Sequence, residues 1–214
     1  MTQKGSKNTK RGGLTTMIKL NVERKSKIRF YQLINKMKEK YDIEIEVMPA
    51  SQIAREYEGE NVAVHIVEKQ LVETVEFIAI SEELLDNAKN NNFGIQEENI
   101  IGDMIKEKVG VCNRYLMFKF VLLHEIGHSQ HYRELGYETF NEETNIAEFE
   151  MNLKYEKTIS KYDEYQNVSS HEEEREVFNK YRYEIEMKLG KEYRKTPLES
   201  YADEFALKHL EERV

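Results

Sequence analysis

The sequence predicts an α+β protein in which a small, mostly antiparallel sheet of about three strands packs on one long helix. Three observations support this fold class. Short segments ahead of residue 82 alternate apolar and polar residues, which is typical of half-buried strands. A long apolar segment at about 112–135 follows, and it is too apolar for a solvated helix. Residues 140–192 are rich in Glu, Lys and Tyr, and they predict a helical insertion.

The elements before the apolar helix follow from the period of the apolar residues. A period of two marks strands, and a period near 3.6 with lysines on the opposite side marks the first helix. In chain order the patterns predict a short strand at 17–22, a helix at 26–41, a strand at 43–47, a short helix at 51–57, strands at 61–67 and 72–81, a short helix from about 81 that ends near 90, and a helix at 95–109.

The whole chain divides into four predicted parts. Residues 1–25 are a basic flexible arm, 26–139 the core with the apolar helix, 140–192 the insertion, and 193–214 a C-terminal helix. A pair of amphipathic helices is the simplest interpretation of the insertion, and a capping box at 170–173 predicts the start of the second one.

Composition limits the class of protein. The single cysteine, Cys112, excludes a disulfide framework and fits a reducing cytoplasm. No apolar segment approaches the ~20 residues that a membrane helix needs. We therefore expect a cytoplasmic protein with no membrane partner.

Charge is unevenly distributed along the 214 residues. Residues 1–40 hold twelve Lys and Arg against two Glu, a net charge of +10, which leaves −18 for residues 41–214. The basic segment 1–40, which includes the arm, could bind nucleic acid or an acidic surface, and it could equally be solvated. No aromatic residue precedes Phe30, which argues against nucleic-acid binding by this segment, and no other part of the chain predicts such binding.

The chemistry is concentrated in His124-Glu125-Ile126-Gly127-His128 within the apolar helix. Histidines four residues apart share one face of a helix, so their imidazoles can converge on one metal ion. The glutamate between them can deprotonate a bound water, and burying this set without a metal would be costly. Gly127 costs a helix about 1 kcal/mol relative to alanine, which predicts the close approach of another element.

A catalytic zinc takes three protein ligands, so a third is needed. Glu134, Glu142 and Glu143 are conceivable, whereas a straight helix turns His131 away from the shared focus. Glu199 is a better candidate, because Asp203 lies one turn further and could accept the N–H of a ligating histidine.

The structural alternative for Glu199 comes from its own helix. Thr196 predicts an N-cap with Pro197 at the first helical position, and Thr196-x-x-Glu199 is itself a capping box. Spacing alone does not decide between the two interpretations.

The two motifs together resemble those of the ImmA/IrrE family of metallopeptidases. The shared residues are the H-E-x-x-H of 124–128 and the downstream Glu199-x-x-Ala202-Asp203-x-Phe205-Ala206. The resemblance implies a zincin-like fold and a Zn²⁺ ion bound by His124, His128 and Glu199. It covers roughly residues 28–135 and 196–210, and about 70 residues separate the motifs, more than is usual in that family.

By this resemblance we expect a zinc metalloendopeptidase with Glu125 as its base. Tyr201, His209 and Arg114 are open candidates for stabilising the oxyanion. The resemblance implies a protein substrate, a DNA-binding repressor of a phage or mobile element. The rival hypothesis is a non-catalytic zincin-like binding module that acts through the charged helical insertion.

Overall fold

The computed structural model describes residues 27–56, 63–69, 74–85, 95–166 and 172–212. The predicted strand at 17–22, the arm 1–25 and the capping box at 170–173, apart from Glu172 and Glu173, lie outside these ranges. The elements are α1 (residues 27–41), β1 (Glu44–Met48), α2 (Ala50–Glu56), β2 (Ala63–Lys69), β3 (Thr74–Ser81), a 3-10 turn (Glu82–Leu85), α3 (Ile95–Val109), α4 (Arg114–Leu135), α5 (Tyr137–Gln166), α6 (Glu172–Tyr193) and α7 (Pro197–His209).

The three strands form one mixed sheet in the order β1-β3-β2. β3 pairs antiparallel with β2 and parallel with β1, so the prediction of a mostly antiparallel sheet is wrong. The difference is associated with α2, which follows β1 and packs on one face of the sheet. Ile53 of α2 contacts Met48 of β1 and Ile66 of β2 there, and β3, the last strand in the chain, lies in the middle of the sheet.

The main core lies on the other face of the sheet. Ile78 and Ile80 of β3 pack in one cluster with α1, α3 and α4. Leu122, Leu123 and Ile126 in the middle of α4 have no exposed surface or almost none. Because α4 is covered on most sides, its sequence is apolar all round rather than along one stripe.

The insertion is the predicted helical pair, with α5 and α6 packed against each other. α6 continues past Gly190 and ends at Tyr193. Gly190 lies where α6 packs on α3, and a Cβ there would be 3.0 Å from Ile100 Cδ1. The apolar stripe of α5 remains exposed, with Phe149 69% and Ile146 52% accessible. None of the helices in the described ranges has the length and apolar character to cross a bilayer.

Candidate metal centre

Helix α4 presents His124 and His128 on one buried face. Asn113 caps the helix by accepting from the N–H of Leu116, and the apolar residues before His124 anchor it in the core. The two Nε2 atoms lie 3.1 Å apart, and the rings meet edge to face with centroids 4.6 Å apart. Both nitrogens therefore point at the same place.

Gly127 allows α7 to reach this face. A Cβ on Gly127 would lie 2.7 Å from Ala202 Cα and 3.2 Å from Phe205 Cβ. The first distance is shorter than Cβ contacts in real proteins and the second is tighter than most of them, so glycine permits this approach of the two backbones. The expectation of a close neighbour at Gly127 is confirmed, and the neighbour is the helix that carries Glu199.

Glu199 completes a buried cluster with the two histidines. Its Oε1 lies 3.4 Å from His128 Nε2 and its Oε2 lies 3.4 Å from His124 Nε2, and its exposed fraction is 5%. The capping-box alternative is not what forms. Thr196 makes no side-chain cap to α7, and its N–H and hydroxyl both donate to the carbonyl of Tyr193.

The cluster fits a tetrahedral metal. With metal–ligand bonds of about 2.0–2.1 Å, two ligand atoms of a zinc tetrahedron lie about 3.3–3.4 Å apart. The three separations here are 3.1, 3.4 and 3.4 Å. His124, His128 and Glu199 can thus hold a metal ion, and they are the one group of three such ligands found among the described residues.

The protonation states follow from burial and mutual contact. Burial disfavours charge on His124, but hydrogen bonds to Asp203 and Glu199 outweigh it and raise the pKa of His124 to about 9. Burial likewise opposes ionisation of Glu199, yet hydrogen bonds from both histidines bring its pKa well below the ordinary 4.5. This environment favours a proton on His124 beside the Glu199 carboxylate, and a metal bound here would compete with that proton.

Asp203 holds His124 from behind. Its Oδ1 lies 2.9 Å from His124 Nδ1, while Nε2 of the same ring faces the cluster. An acceptor on Nδ1 places the proton there and leaves Nε2 free to ligate. This is the position expected for Asp203 from the spacing. By contrast, Nδ1 of His128 is buried with no partner in the described part of the chain.

Arg194 was missed by the sequence analysis. It follows α6, and its Nη1 lies 2.7 Å from Asp203 Oδ1 and 3.4 Å from His124 Nδ1. Its side chain is 15% exposed. No spacing rule relates an arginine to a third ligand five residues later. The one available signal was its place just ahead of the Thr196-Pro197 helix start.

Glu125 lies on the sheet side of α4, next to the metal-facing stripe. It is 8% exposed, and its carboxylate has no hydrogen-bond or ion-pair partner within the described residues. One turn further, Ser129 donates to Glu76 of β3, which shows that this stripe of α4 faces the sheet. Glu125 is thus buried beside the cluster without being committed elsewhere.

The candidates for the oxyanion role are not brought to the cluster. His209 lies ten residues after Glu199, about 15 Å along the helix, and contacts Glu212 and Phe205. Arg114 lies ten residues before His124 and donates to the carbonyl of Leu84. Ten residues along a helix place both side chains too far from the cluster to stabilise an oxyanion there, so both assignments are wrong.

Tyr201 is also turned away. Its hydroxyl donates to Glu134, and its ring stacks on His131 with centroids 4.3 Å apart. Burial, and to a smaller extent this hydrogen bond to Glu134, raises the pKa of Tyr201 to about 12. Glu134, Glu143 and His131, three other residues considered as third ligands, therefore lie in a separate cluster around Tyr201. In that cluster His131 Nε2 lies 3.8 Å from Glu143. Glu142 is exposed on α5.

No protein-family model, curated protein or solved structure matches this chain. The class of site is accordingly defined by its own residues. It is a buried, two-histidine, one-glutamate centre on two helices that can hold a metal ion.

Proposed function

We propose that this protein is a zinc-dependent metalloendopeptidase, similar to the ImmA/IrrE family that its two motifs resemble. The observation that supports the proposal most is the convergence of Glu199 on His124 and His128 at tetrahedral separations. Two histidines and one glutamate are a ligand set of catalytic zinc sites, which keep a fourth position for water. A structural zinc site would instead have four protein ligands.

The chain's own residues supply the remaining chemistry. When bound, zinc would act as a Lewis acid that makes water nucleophilic near neutral pH. Glu125 accepts a proton from the water that attacks the peptide carbonyl carbon, and it returns that proton to the amine as the C–N bond breaks. Its carboxylate, buried and uncommitted in the described structure, suits both transfers.

The substrate strand would lie along β2. The predicted strand at 72–81 cannot bind an extended peptide by strand addition, because it supplies the central strand β3, whose two edges are both paired. β2 is an edge strand and the strand with the most contact to α4. A peptide added to β2 would thus pass the stripe of α4 that carries Glu125.

The substrate class rests on the family resemblance. It implies a cytoplasmic protease that cuts a DNA-binding repressor of a phage or mobile element. The single cysteine, Cys112, is consistent with a reducing compartment.

The proposal is tested with Glu125→Gln and a matched control, Glu134→Gln, on the same helix. We expect the wild-type protein loaded with zinc to cleave a quenched-fluorescence peptide library. E125Q should keep its zinc, measured by elemental analysis, and lose about 10²–10⁴-fold in cleavage rate. E134Q should keep both within a few-fold. Cleavage by E125Q at the wild-type rate contradicts the enzyme hypothesis.

The alternative is a binding module, and the exposed stripe of Ile146, Phe149 and Leu153 on α5 favours it. On that hypothesis Phe149→Ser removes the cellular effect of the protein, while E125Q leaves it intact. The enzyme hypothesis predicts that E125Q removes it. The pair of variants therefore separates the two functions in one complementation assay.

A further inference from the structure

Arg194, the residue that follows α6, places its guanidinium at the metal centre. α6 is bound to α7 by a tight turn, in which the N–H of Arg194 donates to the carbonyl of Gly190 and that of Thr196 to the carbonyl of Tyr193. Gly190 packs on Ile100 of α3 at the same place. The backbone that carries Arg194 is consequently held on both sides.

The guanidinium completes a chain of contacts to the first histidine. Nη1 of Arg194 is 2.7 Å from Asp203 Oδ1, and the same Oδ1 is 2.9 Å from His124 Nδ1. Arg194 and His124 thus approach one carboxylate oxygen. Both are N–H donors when Nε2 of the histidine ligates a metal, so Asp203 accepts from both.

We propose that Arg194 is a positioning residue of the metal centre, which acts on His124 through Asp203. A carboxylate with one partner can rotate about its side-chain bonds, whereas a second, charged donor on the same oxygen restricts it. This role has a use only if the site binds zinc, so the inference rests on the proposed function. Arg194 lies in the turn between α6 and α7, so the end of the helical pair contributes a residue to the site.

The inference makes a prediction about non-additivity. Arg194 Nη1 lies 2.7 Å from Asp203 Oδ1 but 3.7 Å from Glu199 Oε2, so most of the effect of removing Arg194 should depend on Asp203 being an anion. Residues that orient a ligating histidine typically affect metal affinity 10–100-fold. Arg194→Met and Asp203→Asn should each weaken zinc binding by that factor. The double variant should be no more than about threefold weaker than D203N alone.

The measurement is zinc affinity by competition with a chromogenic chelator, together with the visible spectrum of the cobalt-loaded protein. Arg182→Met is the matched control, because Arg182 also lies on α6 but pairs with Glu186 on the hairpin surface. It should bind zinc like the wild type. Arg194→Gln, which keeps a side-chain N–H donor, should recover part of the affinity and serves as the reporter if R194M fails to fold.

Two results overturn the inference. In one, both R194M and R194Q fold and bind zinc with wild-type affinity. In the other, the losses in R194M and D203N multiply in the double variant, which would show that Arg194 acts independently of Asp203. Wild-type protein that binds zinc but cleaves no peptide would contradict the proposed function alone. The role of Arg194 is tested by the zinc affinities of the variants, which do not depend on peptide cleavage.

Discussion

A methyl group added at Gly127 tests the contact that brings Glu199 to the histidines. Alanine in place of glycine within a helix normally gains about 1 kcal/mol. Here the new Cβ would lie 2.7 Å from Ala202 Cα, against about 3.5–4.0 Å for ordinary carbon contacts. The two backbones must therefore separate by about 1 Å. Such overpacking costs about 1–3 kcal/mol, so we expect a net loss of up to about 2 kcal/mol.

The same displacement acts on the metal centre. Ala202 lies one turn after Glu199, so a shift of α7 carries that carboxylate with it. Ligand distances tolerate only about 0.2 Å, and we therefore expect Gly127→Ala to weaken zinc binding at least about tenfold.

Urea unfolding measures the stability of G127A, and chelator competition measures its zinc affinity. Gly102→Ala is the control, because its Cβ would meet Cys112 Sγ at an ordinary 3.9 Å. G102A should gain up to about 1 kcal/mol and leave zinc binding unchanged. A G127A protein that is more stable than the wild type and binds zinc equally well would refute the reasoning.

Three further substitutions test the site and its supports. Zinc at 100 times its Kd should stabilise the wild type by about 2.7 kcal/mol in thermal unfolding but should not stabilise Glu199→Ala; equal stabilisation would exclude Glu199 as a ligand. Glu76→Gln should cost about 2 kcal/mol at pH 7, since Glu76 accepts from Ser129 and Arg133 of α4. Burial raises the pKa of Glu76, but the hydrogen bonds from His65 and Ser129, with Arg133, depress it below 4.5. The contribution of Glu76 to stability is therefore present above about pH 4.5 and lost as pH falls through the folded pKa. Urea unfolding should show that the stability difference between wild type and E76Q shrinks in acid. A difference that stays constant with pH would contradict this role of Glu76. Lys119→Met should cost about 1–3 kcal/mol by the same assay, because the buried Nζ donates to two carbonyls at the end of α7; a neutral result would contradict this.

Much of the secondary structure was predictable because its causes are local. A period of two located β1, β2 and β3 to within two residues at each end, and the apolar run located α4. The pairing was not predictable, because strand order depends on where α2 carries the chain. The parallel contact of β1 with β3 is decided by packing on the sheet face and not by the pattern within either strand.

The candidate residues divide in the same way. Tyr201 could have been excluded from the sequence, since residues two apart on a helix do not share a face and Glu199 faces the histidines. His209 is excluded by the rise of about 1.5 Å per residue. Arg194 could not have been found, because its link to Asp203 depends on how α6 meets α7.

The sequence by itself determined the first part of the metal centre. Residues four apart on a helix must share a face, so His124 and His128 converge wherever that helix lies. Only the tertiary structure decided the rest. Glu199, Asp203 and Arg194 come from a helix and a turn some 70 residues further on, and they reach His124 because Gly127 lets two helices touch without side chains between them. Such a contact depends on the whole core, which no local pattern records.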